Sequence, residues 1–173
     1  MNIERRVETD ADVPRQFVRS AFAFLAAAQS VTNSMLKGRF PSDVVHGDVV
    51  LWLAFHASEL FCKGCILRKQ PRASVHGHSL AKLLERLEAL SPGVGFQPPF
   101  DVEIVPRSAD SPGLRAEAHK RIHERLRYPT NSAGRRWTGV RAFSPDSFSS
   151  ELIDLRRQME RVQSQLFASE SGN

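Results

Sequence analysis

Between residues 13 and 37, Phe17, Ala21, Phe24, Ala28, Val31 and Met35 recur at steps of four and three. That spacing draws one apolar stripe on a helix of about 3.6 residues per turn. Pro14 suits the first turn of this helix, where a missing N–H is not needed, and Gly38 stops it. Ala26, Ala27 and Ala28 are small enough to let another helix approach closely. The next stretch, residues 47–90, has a different pattern. Val49 to Phe55 is apolar at every position, so a helix there must be enclosed on all sides. It reads as the central helix of a bundle, capped by Ser42 or Asp48 and ending near Lys69, before Pro71. Gly64 inside it costs about 1 kcal/mol of helix propensity relative to Ala; close packing of a neighbouring helix offsets this. The polar positions of the central helix fall together: Asp48, Trp52, His56, Glu59, Lys63 and Gln70 project to one side. That side is either a solvent face or the wall of a site.

A third helix follows, with Ser79 as N-cap, an apolar face of Leu80, Leu83, Leu84, Leu87 and Leu90, and Pro92-Gly93 as its stop. Residues 91–113 then carry Pro92, Pro98, Pro99, Pro106 and Pro112, which rule out a long helix. Residues 100–105 alternate well enough for a short strand or extended segment. So long a connection is either a plain insertion or a lid over the bundle end. A further helix is predicted over 114–126, with Leu114, Ala118, Ile122 and Leu126 buried and His119, His123 and Arg127 forming a polar stripe; Pro129 ends it. The last helix spans 145–167, and Leu152, Leu155, Met159, Val162 and Leu166 form its seam. That seam docks either on its own bundle or on a partner or second copy. Residues 1–12 and 168–173 read as loose ends around one domain of 173 residues. The fold expected is all-α: a four- to five-helix bundle with a Pro-rich insertion at about 91–113.

Composition narrows the setting. The residues are 41% hydrophobic, and the opening stretch is polar and charged rather than a leader. No uninterrupted apolar run approaches the roughly 20 residues of a membrane span, so the expectation is a soluble cytoplasmic protein with no membrane partner. The formal net charge is +5, which admits nucleic acid or other anions. Its one concentrated patch, Arg135, Arg136, Trp137 and Arg141, reads as a solvated loop or a phosphate contact.

Three constellations invite chemistry. Cys62 and Cys65, with His76 and His78, offer two thiols and two imidazoles to a zinc ion. A single pair of cysteines inside an apolar helix is more simply core packing, and neither metal nor cofactor is expected. Glu59 and Lys63, four apart, make either a surface ion pair or a polar wall beside His56. His119, His123 and Arg127 lack an evident third metal ligand, but an imidazole beside a guanidinium suits proton transfer and charge stabilisation at phosphorus. No phosphate-binding glycine loop, nucleophile elbow or dinucleotide fingerprint is present.

His56-Ala-Ser-Glu59-Leu-Phe-Cys-Lys63, followed by Gly77-His78-Ser79-Leu80 and an amphipathic helix, resembles the HEPN domain family. Arg127-Tyr128-Pro129 resembles the segment opening the last core helix of some members, so the likeness covers about 42–131. It implies an all-helical bundle that binds a nucleotide, RNA or protein partner in a cleft between helices. His56, Glu59, Lys63, His78, His119, Arg127, Tyr128 and Asn131 are the ligand-binding residues so implied. The family's ribonucleases place an arginine four to six residues before a histidine. Here no histidine follows Arg127, and Thr130, Asn131 and Ser132 stand where one is wanted. Arg72 and His78 match only by count, in a loop. The resemblance therefore points to a non-catalytic binding module, with a second copy or a protein partner through the last helix. The alternative is a metal-independent endoribonuclease, of toxin or defence type, using His123 and Arg127.

Overall fold

The computed structural model describes residues 13–98, 134 and 143–168. Among them the chain is all-helical, in four helices: α1 (Val13–Leu36), α2 (Val44–Lys69), α3 (Leu80–Leu90) and α4 (Pro145–Phe167). Helix α2 is the hub, packing against α1, α3 and α4, while α1 also touches α4. The apolar run itself is enclosed only in part: Val50, Ala54 and Phe55 are buried, Leu51, Trp52 and Leu53 are half-buried and Val49 is 46% exposed, whereas in the C-terminal half Ala57, Phe61, Cys62, Cys65 and Ile66 are fully buried. By length and composition α2 would also be apolar enough to cross a membrane, contrary to the expectation from uninterrupted runs. Two thirds of its most apolar window, 67%, is covered inside the bundle, a pattern that core helices share.

Helix α1 buries Pro14, Val18, Ala21, Leu25, Ala28, Thr32 and Met35. This corrects the predicted stripe by one residue at every other step. Phe17, Phe24 and Val31 lie half-buried on a flank, and Val18, Leu25 and Thr32 take the inner row. Pattern alone prefers Val31 to Thr32, but the Thr32 hydroxyl donates to the Ala28 carbonyl at 2.9 Å and so needs no other partner. Ala26 and Ala27 are exposed, leaving only Ala28 of the three in a helix contact. The turn after α1 is a Schellman motif: Gly38 N–H donates to Met35 O at 2.9 Å and Arg39 N–H to Ser34 O at 2.8 Å. Gly38 supplies the left-handed φ of 66° that this requires.

Neither Ser42 nor Asp48 caps α2. Asp43 does, accepting from the His46 N–H at 2.9 Å; among three neighbouring acceptors, the place where the chain turns decides. Ser79 caps α3 as its sequence predicts. Ser144 caps α4, with Pro145 in the first turn. The α4 seam docks on its own bundle, with Leu152, Leu155, Met159 and Val162 fully enclosed. Its C-terminal end is held by Arg68, whose Nε donates to Leu166 O at 3.3 Å and whose guanidinium lies 5.7 Å from the Phe167 ring centre. The seam is therefore not free for a partner.

The beginning of the Pro-rich segment is part of the core. Val94 and Phe96 are buried, Phe96 against Phe61 with ring centres 4.9 Å apart. Arg161 of α4 donates to Val94 O and Gly95 O, each at 2.8 Å, and so straps the segment down. The predicted extended segment at 100–105, the predicted helix at 114–126 and the loose ends at 1–12 and 169–173 lie outside the described residues.

At Gly64 helix α1 lies tightly against α2. A Cβ there would stand 2.8 Å from Val18 Cγ2 and 2.9 Å from the Pro14 carbonyl oxygen, which is backbone and cannot step aside. Gly64→Ala should therefore lower stability by about 1–3 kcal/mol, despite the better helix propensity of alanine. Urea denaturation checks this, and an unchanged or raised midpoint would contradict the close approach. A chain truncated before Ser144 should lose cooperative melting. Enclosing each of the four innermost seam residues contributes about 1.5–3 kcal/mol, together comparable with the whole stability of a small domain. Circular dichroism on heating is the measurement.

Candidate functional site

On α2, Trp52, His56, Glu59 and Lys63 follow one another at steps of four, three and four, so they form one line along the helix. The line is a wall, not a solvent face. The Trp52 and His56 rings stack with centres 5.4 Å apart and planes 7° from parallel. Phe24 of α1 meets both edge-on, at 4.6 Å from His56 and 6.0 Å from Trp52. One turn further, Glu59 is only 2% exposed. The surface ion pair read as an alternative for Glu59 and Lys63 is thereby overturned: both are buried, and Lys63 Nζ donates to Glu59 Oε1 at 2.6 Å.

A second group reaches the same oxygen. His78, in the segment before α3, brings Nδ1 to 3.0 Å from Glu59 Oε1. The chain turns towards α2 at Gly77, whose φ of 107° is open to glycine at little cost. Its imidazole remains 55% exposed and forms the mouth of the cluster. His56 Nδ1 stands 3.8 Å from the other oxygen, Oε2, within ion-pair range but too long for a hydrogen bond. One carboxylate thus faces an ammonium and two imidazoles.

Burial by itself pushes the Glu59 carboxyl up, because it disfavours the charged form. His56, the Lys63 hydrogen bond and charge, and the charge of His78 outweigh that and hold it at about 2, below its ordinary 4.5. Glu59 is accordingly ionised wherever the protein is folded near neutrality. A carboxylate so perturbed, with named partners of which His78 is exposed, is a candidate functional group on physical grounds.

Cys62 and Cys65 belong to the core. Both are fully buried, and burial first of all raises each thiol, Cys65 to about 12 and Cys62 well above its usual range. Protonated thiols in an apolar interior are neither nucleophiles nor metal ligands. His78 is turned to Glu59 and His76 is exposed, so the four residues weighed for zinc do not converge. Among the described residues no group of three or more His, Cys, Asp and Glu is placed to hold a metal ion.

Of the residues proposed from sequence, His56, Glu59, Lys63 and His78 come together around one carboxylate. His119, His123, Arg127, Tyr128 and Asn131, and the arginine patch of Arg135, Arg136 and Arg141, lie outside the described residues. Phe24 was missed, because its place in the apolar spacing of α1 made it look like plain core. No local signal marked it, because its place one residue off the inner row is decided by packing. Comparison with known protein families, with curated proteins and with solved structures finds no match to this chain in any of the three.

Because the Glu59 carboxyl is held below its ordinary value, its share of stability is complete above about pH 4.5 and is lost as pH falls towards about 2. The loss across that window should be on the order of 3 kcal/mol at most. Glu59→Gln should be less stable than the parent at pH 7 and should lack this part of the acid slope. Denaturation midpoints measured over a pH series decide it; parallel slopes in both proteins would refute the assignment.

Proposed function

We propose that this chain is a HEPN-like binding module that takes a phosphate-bearing ligand, a nucleotide or RNA, at the mouth of the Glu59 cluster without cleaving it. The observation that carries the reading is the convergence of His56, Lys63 and His78 on the buried, ionised Glu59. These are the residues on which the family resemblance rests, and they come from two separate stretches of chain. A buried carboxylate that fixes the exposed His78 imidazole, with the Lys63 ammonium buried behind it, sets the direction in which that ring meets an anion. The stacked Trp52–His56 pair beside it supplies a flat aromatic edge. Phosphate recognition uses the first feature and a nucleobase the second. A cytoplasmic setting agrees with two buried, unpaired cysteines.

No histidine follows Arg127 in the chain, so the placed proton-transfer group of the family's ribonucleases is missing. General acid–base help is worth about 10²–10⁴-fold.

The test is calorimetric titration of the full chain with ATP, AMP and a short single-stranded RNA. His78→Ala, at an exposed position, should weaken binding about tenfold, as expected for one charge-assisted hydrogen bond, and leave the melting temperature within a degree or two of the parent. No binding of any of the three ligands, or binding indifferent to His78→Ala, would remove the site. RNA incubated with metal-free protein completes the experiment. Cleavage that vanishes in both His123→Ala and Arg127→Ala would promote the endoribonuclease instead.

A further inference from the structure

We propose that the corner between α2 and α3 is a second phosphate subsite, formed by Lys69, Arg72 and Lys82, and that the ligand is therefore a single-stranded polynucleotide rather than a mononucleotide. The inference rests on the binding role proposed above and names its ligand class. Between Leu60 and Leu84 the chain carries Lys63, Arg68, Lys69, Arg72 and Lys82 and no Asp or Glu. Two of these basic groups are used inside the fold: Lys63 is buried on Glu59, and Arg68 holds the end of α4. Lys69, Arg72 and Lys82 are exposed, and the ion pairs among the described residues leave all three out. The first acids beyond the run are Glu85 and Glu88 on α3. The Glu88 carboxylate is turned to the far end of that helix, where it accepts from the Gly93 N–H at 2.7 Å.

The corner is fixed at several points. Gln70 N–H closes α2 on Ile66 O at 2.7 Å, and Ala73 N–H turns back to Gln70 O at 2.9 Å. Arg86 of α3 donates to Ser74 O and to Gln70 Oε1. At the other end of the loop, His78 is held on Glu59. Charges carried on backbone that is ordered beforehand lose less freedom when a ligand binds. The corner also leads away from the Glu59 cluster. Lys82 lies in the first turn of α3, just past the cap Ser79. Lys69 lies ten residues beyond Glu59 on α2, about 15 Å along the helix axis. A stacked strand carries a phosphate about every 3.4 Å, so about four phosphates cover that length. A mononucleotide carries its phosphates together at one end and cannot reach both places. The stacked Trp52–His56 pair, further back along α2, favours a nucleic acid over an acidic protein, because bases stack on aromatic rings and carboxylate side chains do not.

The experiment uses the full chain, with AMP and a single-stranded RNA octanucleotide as probes and polyglutamate of equal length as control. At low salt the octanucleotide should bind about tenfold more tightly than AMP, since three further cations each meet a phosphate. Its affinity should also fall more steeply with salt, the logarithmic slopes differing by about −2, or roughly −0.7 for each of three phosphates. The triple variant Lys69→Gln, Arg72→Gln, Lys82→Gln changes only exposed side chains and should melt within a degree or two of the parent. It should lose most of the extra slope and bind AMP unchanged, whereas His78→Ala should weaken both probes. An octanucleotide bound no more tightly than AMP, or a slope unaltered in the triple variant, would overturn the inference and leave the binding role standing. AMP binding lost in the triple variant would overturn it as well, since the three residues would then belong to one site with His78. Polyglutamate bound as tightly as the octanucleotide would mark a surface for acidic protein, and the inference would fall. Failure of both AMP and the octanucleotide to bind would overturn the binding role and the inference with it.

Discussion

The structure depends on the enclosure of α2. A helix with apolar side chains around its circumference has no stable place at a surface, and here α1, α3 and α4 each take one side of it. Gly64 permits one close contact, because only the absence of a Cβ lets the Pro14 backbone and Val18 rest against the helix. The helix propensity lost at that position is offset by apolar surface removed from water along α1. Once α1 is seated, Phe24 falls beside Trp52 and His56, and the position of the polar line on α2 is settled.

That polar line creates an opposing demand. Enclosing α2 also encloses Glu59 and Lys63, and a charge in such surroundings is costly unless it is paired and hydrogen-bonded. The pair at 2.6 Å meets part of the demand. His78 meets more of it from outside the helix, so the loop before α3 is held to α2 by the same carboxylate. Arg86 reinforces that loop, donating to Ser74 O at 2.7 Å and to Gln70 Oε1 at 3.0 Å. The charged cluster is therefore both a fastening between α2 and the approach to α3 and the most chemically distinctive place in the described structure. The two roles are compatible, since a carboxylate that must be satisfied for folding is also one that holds its donors in fixed directions.

Much of this was legible in the sequence. The seam of α4, the cap Ser79, the stop at Gly38 and the grouping of His56, Glu59 and Lys63 on one side of α2 all follow from local rules: side-chain period, capping chemistry and backbone freedom act over a few residues, and sequence displays them directly. Tertiary structure decided what depends on which neighbour arrives. The inner row of α1 runs through Val18, Leu25 and Thr32 rather than Phe17, Phe24 and Val31, because two rows one residue apart share the same alanines and only packing chooses between them. Asp43 rather than Ser42 or Asp48 caps α2, and Val94 and Phe96 enter the core from a stretch whose prolines suggest only a break in the helices. The burial of Glu59 was the largest such decision. A Glu and a Lys four apart look the same on a solvated face and inside a bundle. Their difference lies in the water that α1 and the loop carrying His78 exclude, and that exclusion is a property of the assembled fold.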